Sequence, residues 1–374
     1  MNIGFDAKRA FCNSRGLGNY SRNTIRIMTQ AFPSYSFSLF TPKIKEGLNV
    51  NFPTSNIKTI LPKGCYAYTP LSSLWRTSSI CKEIKSNNIN LYHGLSHELP
   101  YGIEKTGAKT ILTMHDVIFL KHPELYHLFD RYVFKKKYKH GCDIADRIIA
   151  ISQQTKLELM EYMGIDENRI DVVYQGCNPI FHQEVSEYAL KQTKELYNLP
   201  NEFMLIVSAI ERRKNHELIL KSMREPKIDL PLVIVGRGDE YKKELIRMAK
   251  EWGVEKRITF LTNVRTETLP ALYKLATLFI YPSLFEGFGI PILESLTVGT
   301  PVITSKGSCF QETGGDAAKY VSSDNEEELA STILQLLDNH ELRKIMVQKG
   351  FKHIRKFSDQ TIAKNLMTVY NKVL

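Results

Sequence analysis

The sequence lacks the cysteine patterns of disulfide-linked and zinc-binding proteins. Its six cysteines are scattered, with no C-x-x-C pair, so we interpret them as reduced thiols of a cytoplasmic protein. No apolar run approaches the roughly 18 residues that span a bilayer. The opening residues, MNIGFDAKR, predict a strand and lack the apolar segment that is typical of a signal peptide. We therefore expect a cytoplasmic protein without a transmembrane helix.

Several functional classes are excluded by what the sequence does not contain. It has no zinc-finger spacing and no RNP-type aromatic strand, so no nucleic-acid partner is predicted. It also has no Asp-x-Asp pair and no His, Cys or Asp cluster at metal-ligand spacing. We therefore predict activity without a metal ion or any other cofactor. Repeats of solenoid period and low-complexity tracts are absent as well.

Positive charge is unevenly distributed along the 374 residues. The net charge is +10, and residues 1–175 contain 23 Lys and Arg against 15 Asp and Glu. A basic half of this kind is typical of proteins that bind nucleic acid, an anionic membrane or a phosphorylated ligand. We favour the membrane or a phospholipid-linked acceptor. Residues 131–139 interleave bases and aromatics on a predicted helix. The alternative to membrane contact is a solvated helix face with the Tyr and Phe side chains packed inward.

Strand-like and helical segments alternate along the chain, which predicts an α/β protein with parallel sheets. With 43% hydrophobic residues and this length, we expect two domains rather than one core. The first is predicted to span 1–178 and the second 179–358, followed by a final helix at about 359–374. In the first domain a loop is predicted up to Asn19, with a helix from Ser21.

One stretch, residues 281–294, has the features of a phosphate site. An apolar strand-like run ends at Pro282, and Gly287 and Gly289 lie in the turn that follows, where glycine lets the backbone approach a ligand. Pro291 suits the first turn of a helix. The N–H groups and the dipole at a helix N-terminus favour an anion.

Two carboxylates, Glu286 and Glu294, flank this turn eight positions apart. Because carboxylates repel phosphate, we expect them to accept hydrogen bonds from hydroxyl groups instead. A ligand with central phosphates and hydroxyl-rich ends is a nucleotide-sugar. The stretch PSLFEGFGIPILES, followed by GTPVITS at 299–305, resembles the donor-site signature of family 4 retaining glycosyltransferases. This resemblance implies the GT-B architecture, in which two Rossmann-like domains have parallel sheets facing across a cleft.

The resemblance extends over nearly the whole chain and implies an acceptor-binding first domain and a donor-binding second domain. It also implies that the final helix crosses back onto the first domain. In the turn after the strand at 203–209, Lys214 matches the cation that holds the donor diphosphate, with Arg213 before it. Some family members have a further arginine where this chain has Ala209. Either that cation is absent, or Arg212 or Arg213 substitutes for it.

Residues in the first half match the family as well. The strand-like run 110–116 ends in His115 and Asp116, at the carboxyl end where ligands collect in open α/β sheets. By resemblance, His115 contacts the donor sugar or positions the acceptor, and Asp116 lies on the acceptor side. The resemblance assigns donor binding to three segments: Gly16, Gly18, Arg213, Lys214, Glu286, Gly287, Phe288, Gly289, Ile290 and Glu294. The catalytic candidates are His115, Lys214 and Glu286, with no covalent nucleophile and no metal ligand.

The function expected from the resemblance is retaining hexosyl transfer to a glycan or lipid-linked saccharide in polysaccharide or lipopolysaccharide synthesis. GDP-mannose is favoured as the donor over a UDP-hexose. The protein is then a cytoplasmic enzyme, peripheral to the inner face of the membrane if the basic run touches lipid. The alternatives are a GT-B epimerase or phosphorylase and a non-catalytic nucleotide-sugar-binding protein.

Overall fold

The computed structural model describes residues 1–46, 48, 50, 52, 55–67 and 71–374. The chain divides into two compact units. One consists of Met1–Gly176 with Phe357–Leu374, and the other of Cys177–Lys356. Each unit contains its own parallel sheet, so the predicted α/β class is confirmed.

The first unit has a seven-stranded sheet among its described residues, with the order β3-β2-β1-β4-β5-β6-β7 and every neighbouring pair parallel. Its strands are β1 Asn2–Asp6, β2 Ser36–Phe40, β3 Ile57–Ile60, β4 Leu91–Gly94, β5 Lys109–Met114, β6 Arg147–Ala150 and β7 Ile170–Val172. The central strands are almost wholly buried, as is typical of a sheet covered on both faces.

The second unit has a six-stranded parallel sheet with the order β10-β9-β8-β11-β12-β13. Its strands are β8 Met204–Val207, β9 Leu232–Val235, β10 Ile258–Leu261, β11 Leu278–Tyr281, β12 Val302–Ser305 and β13 Ala318–Val321. This is the Rossmann strand order, which reverses direction between β8 and β11. The first unit contains the same reversal between β1 and β4.

Helices connect the strands of both sheets. Those before the domain boundary are α1 Lys8–Cys12, α2 Gly16–Ala31, α3 Leu71–Leu74, α4 Cys81–Ser86, α5 Ile118–Lys121, α6 Leu128–Ile144 and α7 Gln153–Met163. Those of the second unit are α8 Glu187–Leu196, α9 His216–Ser222, α10 Glu240–Glu251, α11 Leu269–Leu275, α12 Ile290–Val298, α13 Phe310–Gly314, α14 Glu326–Asp338 and α15 His340–His353. The last helix, α16 Asp359–Asn371, belongs to the first unit.

The final helix α16 is attached to the first unit by polar contacts as well as by apolar packing. Arg26 of α2 forms an ion pair with Asp359 at 2.7 Å. The buried hydroxyl of Tyr370 lies 2.7 Å from Nδ1 of His93 on β4. The side chain of Ser358 caps the helix by accepting a hydrogen bond from the main chain of Thr361. Residues 359–371 therefore complete the unit that begins at the N-terminus.

The expected loop up to Asn19 is wrong, because α2 begins at Gly16 and a short helix, α1, precedes it. Arg15 has extended backbone and stands at the N-terminus of α2. Gly16 and Gly18 have low helix propensity, which is why the sequence pattern indicated a loop. No helix among the described residues is long and apolar enough to cross a bilayer.

Candidate functional site

Two turns of the second unit meet where its strand order reverses. After β8 the chain forms a single 3₁₀ turn, Arg212–Lys214, and then reaches Asn215 in the left-handed region at φ 56°. After β11 a longer turn leads to α12. Because β8 and β11 are neighbours whose crossovers leave in opposite directions, their carboxyl ends frame a crevice that suits a ligand.

Hydrogen bonds fasten these two turns to each other. The main-chain oxygen of Arg213 accepts from the N–H of Leu284 at 2.9 Å and from Oγ of Ser283 at 3.1 Å. The side-chain amide of Asn215 donates to the carbonyls of Pro282 at 3.2 Å and Ser323 at 2.8 Å. The side chains of both turns are therefore held in one rigid arrangement.

Lys214 and Glu286 lie at the centre of this arrangement. Lys214 is buried, and its ammonium forms an ion pair with Oε1 of Glu286 while donating to the hydroxyl of Tyr281 at 2.9 Å. The same Oε1 accepts from Tyr281 at 2.9 Å and from Ser283 at 2.7 Å. Arg213 binds the other carboxylate oxygen through Nη1 at 2.8 Å. The structure thus brings the catalytic candidates Lys214 and Glu286 into direct contact.

The charges in this cluster stabilise one another. Burial alone would raise the pKa of Glu286, but the adjacent Lys214 and Arg213 outweigh it and lower that pKa to about 2. Burial lowers the pKa of Lys214, an effect that the Glu286 carboxylate opposes. Burial also opposes the charge of Arg213, but Glu286 and Glu211 more than compensate and raise its pKa. Glu286 is therefore ionised throughout the physiological pH range.

The other carboxylate of the motif, Glu294, has a different environment. It lies half-buried on α12, and its Oε2 accepts a hydrogen bond from the buried hydroxyl of Tyr273 at 2.8 Å. No ion pair to Glu294 is found among the described residues. Burial therefore raises the pKa of Glu294 to about 7, with the Tyr273 hydroxyl opposing the shift. The two glutamates of the motif differ in charge state near neutral pH.

The segment between the two glutamates forms the N-terminus of α12. Gly289 is the N-cap residue in the left-handed region at φ 87°, a conformation that glycine adopts without strain. Ile290 is the first helical residue, and Pro291 lies within the first turn as expected. Phe288 is buried, and its carbonyl accepts a hydrogen bond from Oγ1 of Thr313. Anion binding by the Gly287–Ile290 main chain at this helix N-terminus stays a prediction.

Sequence reasoning missed the residues that support the two glutamates. Tyr281 and Ser283 were within the motif but had no role assigned, and Tyr273 precedes the motif on another helix. Ser308 holds the main chain of Glu286. Only Tyr281 and Ser283 had a usable signal, namely a hydroxyl at a strand end, because the contacts of Tyr273 and Ser308 depend on the tertiary fold.

The candidates of the first unit lie at the carboxyl end of β5. His115 is buried, and its Nε2 lies 2.9 Å from the carbonyl oxygen of Leu95. Burial lowers the pKa of His115 to about 4, so the ring is neutral at pH 7. Since a carbonyl only accepts, Nε2 must bear the proton and Nδ1 is the acceptor nitrogen. His115 can therefore accept a hydrogen bond from a hydroxyl group.

The rings around His115 fix its orientation. Tyr20 meets it edge-on with ring centroids 4.5 Å apart. His97 is 5.0 Å away and stacks on Tyr138 at 4.4 Å. His97 has a positive φ of 64°, which is uncommon outside glycine and is found at functional sites. Asp116 follows His115, and its Oδ1 accepts from the N–H of Ile118 at 3.2 Å.

Gly16 and Gly18 lie in the first turn of α2 rather than in the expected loop. A Cβ at Gly18 would stand 1.8 Å from the carbonyl oxygen of Asn13, so this position requires glycine for packing. A Cβ at Gly16 would meet nothing within 4 Å. The predicted donor contacts of both glycines stay predictions.

Among the residues that the structure describes, no group of three or more His, Cys, Asp or Glu is placed to hold a metal ion. The cationic groups of the site are Lys214 and Arg213 themselves. Independence from metal stays a prediction.

Two family models match the chain, one in each unit for most of its length. The model of the family described as Glycosyltransferase Family 4 matches residues 34–180, and that of Glycosyl transferases group 1 matches residues 190–353. O-antigen chain mannosyltransferase B of Escherichia coli is 27% identical over 285 residues, covering 75% of this chain and 74% of that protein. O-antigen chain mannosyltransferase RfbU of Salmonella typhimurium is 27% identical over 287 residues, with 76% and 74% covered.

Solved structures resemble the chain over its full length. A glycosyltransferase from Rickettsia africae has a TM-score of 0.77 at 19% identity, covering 100% of this chain and 98% of that one. The HepE protein of Anabaena, solved in complex with UDP-glucose, has a TM-score of 0.74 at 16% identity and covers 100% of both chains. At these identities the likeness concerns the fold.

Proposed function

The chain belongs to the family 4 glycosyltransferases of GT-B fold, and from this premise we propose that it is a retaining hexosyltransferase. The donor is a nucleotide-sugar bound by the second unit, and the acceptor is a glycan or lipid-linked saccharide. The names of the related O-antigen chain mannosyltransferases favour GDP-mannose as donor and a cell-surface polysaccharide as product. A UDP-hexose is the second choice.

One observation supports this proposal most strongly, namely two cations held beside the turn that leads to the N-terminus of α12. Lys214 and Arg213 are fixed by Glu286 and by the turn after β11. Lys214 and Arg213 carry two positive charges against the single negative charge of Glu286. Arg213 also pairs with Glu211, but the side chain of Glu211 is 47% exposed, so solvent screens that pair. Cations held in advance stabilise charge that develops on a leaving group more effectively than mobile solvent does.

In the proposed reaction the bond between the anomeric carbon and the donor phosphate oxygen breaks. A bond forms between that carbon and the acceptor hydroxyl oxygen on the same face of the sugar. The hydroxyl proton passes to a phosphate oxygen of the departing nucleoside diphosphate. Lys214 and Arg213 compensate the negative charge as it grows, and no covalent nucleophile is used.

The other site residues bind the hydroxyl groups of the donor and the acceptor. Glu294 accepts hydrogen bonds from the ribose hydroxyls. Glu286 accepts hydrogen bonds from the sugar hydroxyls at the lone-pair positions of its carboxylate that its protein partners do not occupy. His115 accepts from a sugar or acceptor hydroxyl through Nδ1. These contacts hold the reacting atoms in register and transfer no proton. Gly287, Phe288, Gly289 and Ile290 bind the diphosphate through the main chain.

We propose that the reaction needs neither a metal ion nor another cofactor, because the cations and the helix N-terminus supply the positive charge. Turnover by purified enzyme should be unchanged when EDTA is added. Loss of turnover on chelation, with recovery on adding Mg²⁺ or Mn²⁺, would contradict this part of the proposal alone.

Binding of the donor tests the central proposal without knowledge of the acceptor. We would measure thermal shifts with GDP-, UDP-, dTDP- and CMP-sugars, comparing the wild type with Glu294→Ala. A donor at 100 times its Kd stabilises the folded state by about 2.7 kcal/mol. Stabilisation of the wild type alone by one sugar nucleotide would identify the donor. Equal stabilisation of both proteins would place the donor elsewhere.

A further inference from the structure

Large apolar side chains are exposed at the beginning of α6 in the first unit. Leu128 is 79% exposed and Phe129 75%, with Tyr132 at 58% and Leu125, in the preceding turn, at 46%. We call these four residues the apolar tip. Soluble proteins expose single apolar residues routinely, but a contiguous group of this kind marks an interaction surface.

A second face of α6, with the end of the helix, supplies the packing that the fold requires. Phe134 and Tyr138 contact Phe119, with ring centroids 5.8 and 5.1 Å apart. Gly141 and Cys142 are buried near the end of the helix. The sequence alternative of a helix with inward-packed aromatics therefore accounts for Phe134 and Tyr138. It leaves the apolar tip unexplained.

The apolar tip continues into a basic face on the same helix. Lys135, Lys136 and Lys139 are exposed, and the spacing of 128, 132, 135 and 139 places these positions on one side of a helix. The ammonium of Lys136 lies 4.6 Å from the ring centre of Tyr132. The 17-residue helix contains five Lys and Arg against two Asp, of which Asp143 pairs with Lys139 at 2.8 Å.

We propose that α6 docks the protein on an anionic lipid surface. The apolar tip enters the boundary between headgroups and acyl chains, and the lysines that follow lie over anionic headgroups. A helix with an apolar part and a lysine-rich part on one face is typical of interfacial binding. A protein partner would match the apolar tip equally well, but the exposed cations next to it favour a surface with many negative charges.

Docking on lipid would bring the enzyme to a lipid-linked acceptor. The biological role of the docking therefore rests on the proposed function. The lipid contact itself is a property of α6 and can be measured without any sugar. Failure of docking and failure of glycosyl transfer are therefore separate results.

Sedimentation of the full chain with vesicles tests the proposal. One set of vesicles contains phosphatidylcholine with phosphatidylglycerol, and the other contains phosphatidylcholine alone. We expect binding to the anionic vesicles. Each exposed lysine near such a surface strengthens binding by about fivefold, so each one removed should weaken the partition by about that factor, and a reversal to Glu should weaken it more. The variants are Leu128→Ser with Phe129→Ser, and Lys135→Glu with Lys136→Glu.

Matched controls lie on the second unit, where Tyr188 and Leu196 are 73% and 65% exposed and Lys349 and Lys352 are exposed on α15. Tyr188→Ser with Leu196→Ser, and Lys349→Glu with Lys352→Glu, should leave vesicle binding unchanged. Activity on a soluble saccharide acceptor should be the same in all variants.

Three results would overturn the proposal. The first is wild-type protein that stays in solution with anionic vesicles. The second is vesicle binding that the α6 variants retain. The third is a wild-type dimer that Leu128→Ser with Phe129→Ser converts to monomer, which would make the apolar tip an interface between copies of the chain.

Discussion

The hydroxyl of Ser308 contacts both main-chain polar groups of Glu286. Its Oγ lies 3.2 Å from the nitrogen, from which it accepts a hydrogen bond, and 3.1 Å from the oxygen, to which it donates. Ser308 itself has a positive φ of 50°, a conformation that costs a residue with a Cβ about 1–2 kcal/mol. The fold thus retains local strain where a side chain positions a residue of the candidate site.

Two substitutions separate the positioning role of Ser308 from its effect on stability. Ser308→Ala removes the hydroxyl and keeps the strain, whereas Ser308→Gly removes both. We expect kcat/KM to fall about five- to tenfold in both variants, because about 1–1.5 kcal/mol of transition-state stabilisation is lost. Thermal unfolding should show Ser308→Gly to be the more stable variant. Wild-type activity in Ser308→Gly would show that the hydroxyl has no positioning role.

Replacing Lys214 tests whether its charge acts on the leaving group. Lys214→Met keeps the buried stem and removes the ammonium, so we expect kcat to fall by about 10²–10³, the range for loss of one charge-stabilising group in an active site. Steady-state kinetics with varied donor should show a much smaller change in KM. Lys221→Met is the matched control, since Lys221 lies on α9 and pairs only with its helical neighbour Glu217 among the described contacts.

The opposite kinetic pattern would revise this assignment. If Lys214→Met raises KM and leaves kcat unchanged, the cation binds ground state and transition state equally. Lys214 would then be a donor-binding residue without a catalytic role.

Much of the fold was predictable because alternating strand and helix patterns determine a parallel α/β sheet. The order of the strands then places the turns at Lys214 and Glu286 together, so local motifs were sufficient to find both residues. Their mutual ion pair was not predictable, because the sequence suggested only that Lys214 meets phosphate and Glu286 meets hydroxyls. Tyr273 and Ser308 act across 21 and 22 residues of sequence, and no local pattern indicates contacts of that range.

The ion pairs of Glu286 should make folding stability depend on pH. The pKa of Glu286 is lowered from 4.5 to about 2 in the folded state. Its stabilising contribution is therefore complete above about pH 4.5 and is lost as pH falls through about 2. A shift of this size corresponds to about 3 kcal/mol, and the side chain is only 12% exposed, so solvent screens it little.

Glu286→Gln should therefore lower the free energy of unfolding by about 3 kcal/mol near neutral pH. Denaturant titrations at several pH values should show the difference from wild type narrowing below about pH 4.5. Glu341→Gln is the control, because Glu341 is 70% exposed in its pair with Lys344. A difference that stays constant down to about pH 3 would mean that Glu286 stabilises the fold by its shape and hydrogen bonds rather than by its charge.

Donor affinity should depend on pH through Glu294. Burial raises its pKa to about 7, so the carboxyl is mostly protonated at pH 6 and mostly ionised at pH 8. A carboxylate accepts hydrogen bonds from hydroxyls more strongly than a neutral carboxyl does. We therefore expect the Kd of the donor, measured by calorimetry, to improve about tenfold between pH 6 and pH 8 and to level off above.

Glu294→Gln distinguishes this titration from others in the site. The amide accepts hydrogen bonds but does not ionise, so the variant should bind the donor weakly and with little change over the same pH range. Glu286 contributes nothing to the slope there, because it is ionised at both ends of the range. If Glu294→Gln keeps the tenfold dependence, the titrating group is the donor itself or another residue, and Glu294 binds the ribose in its neutral form.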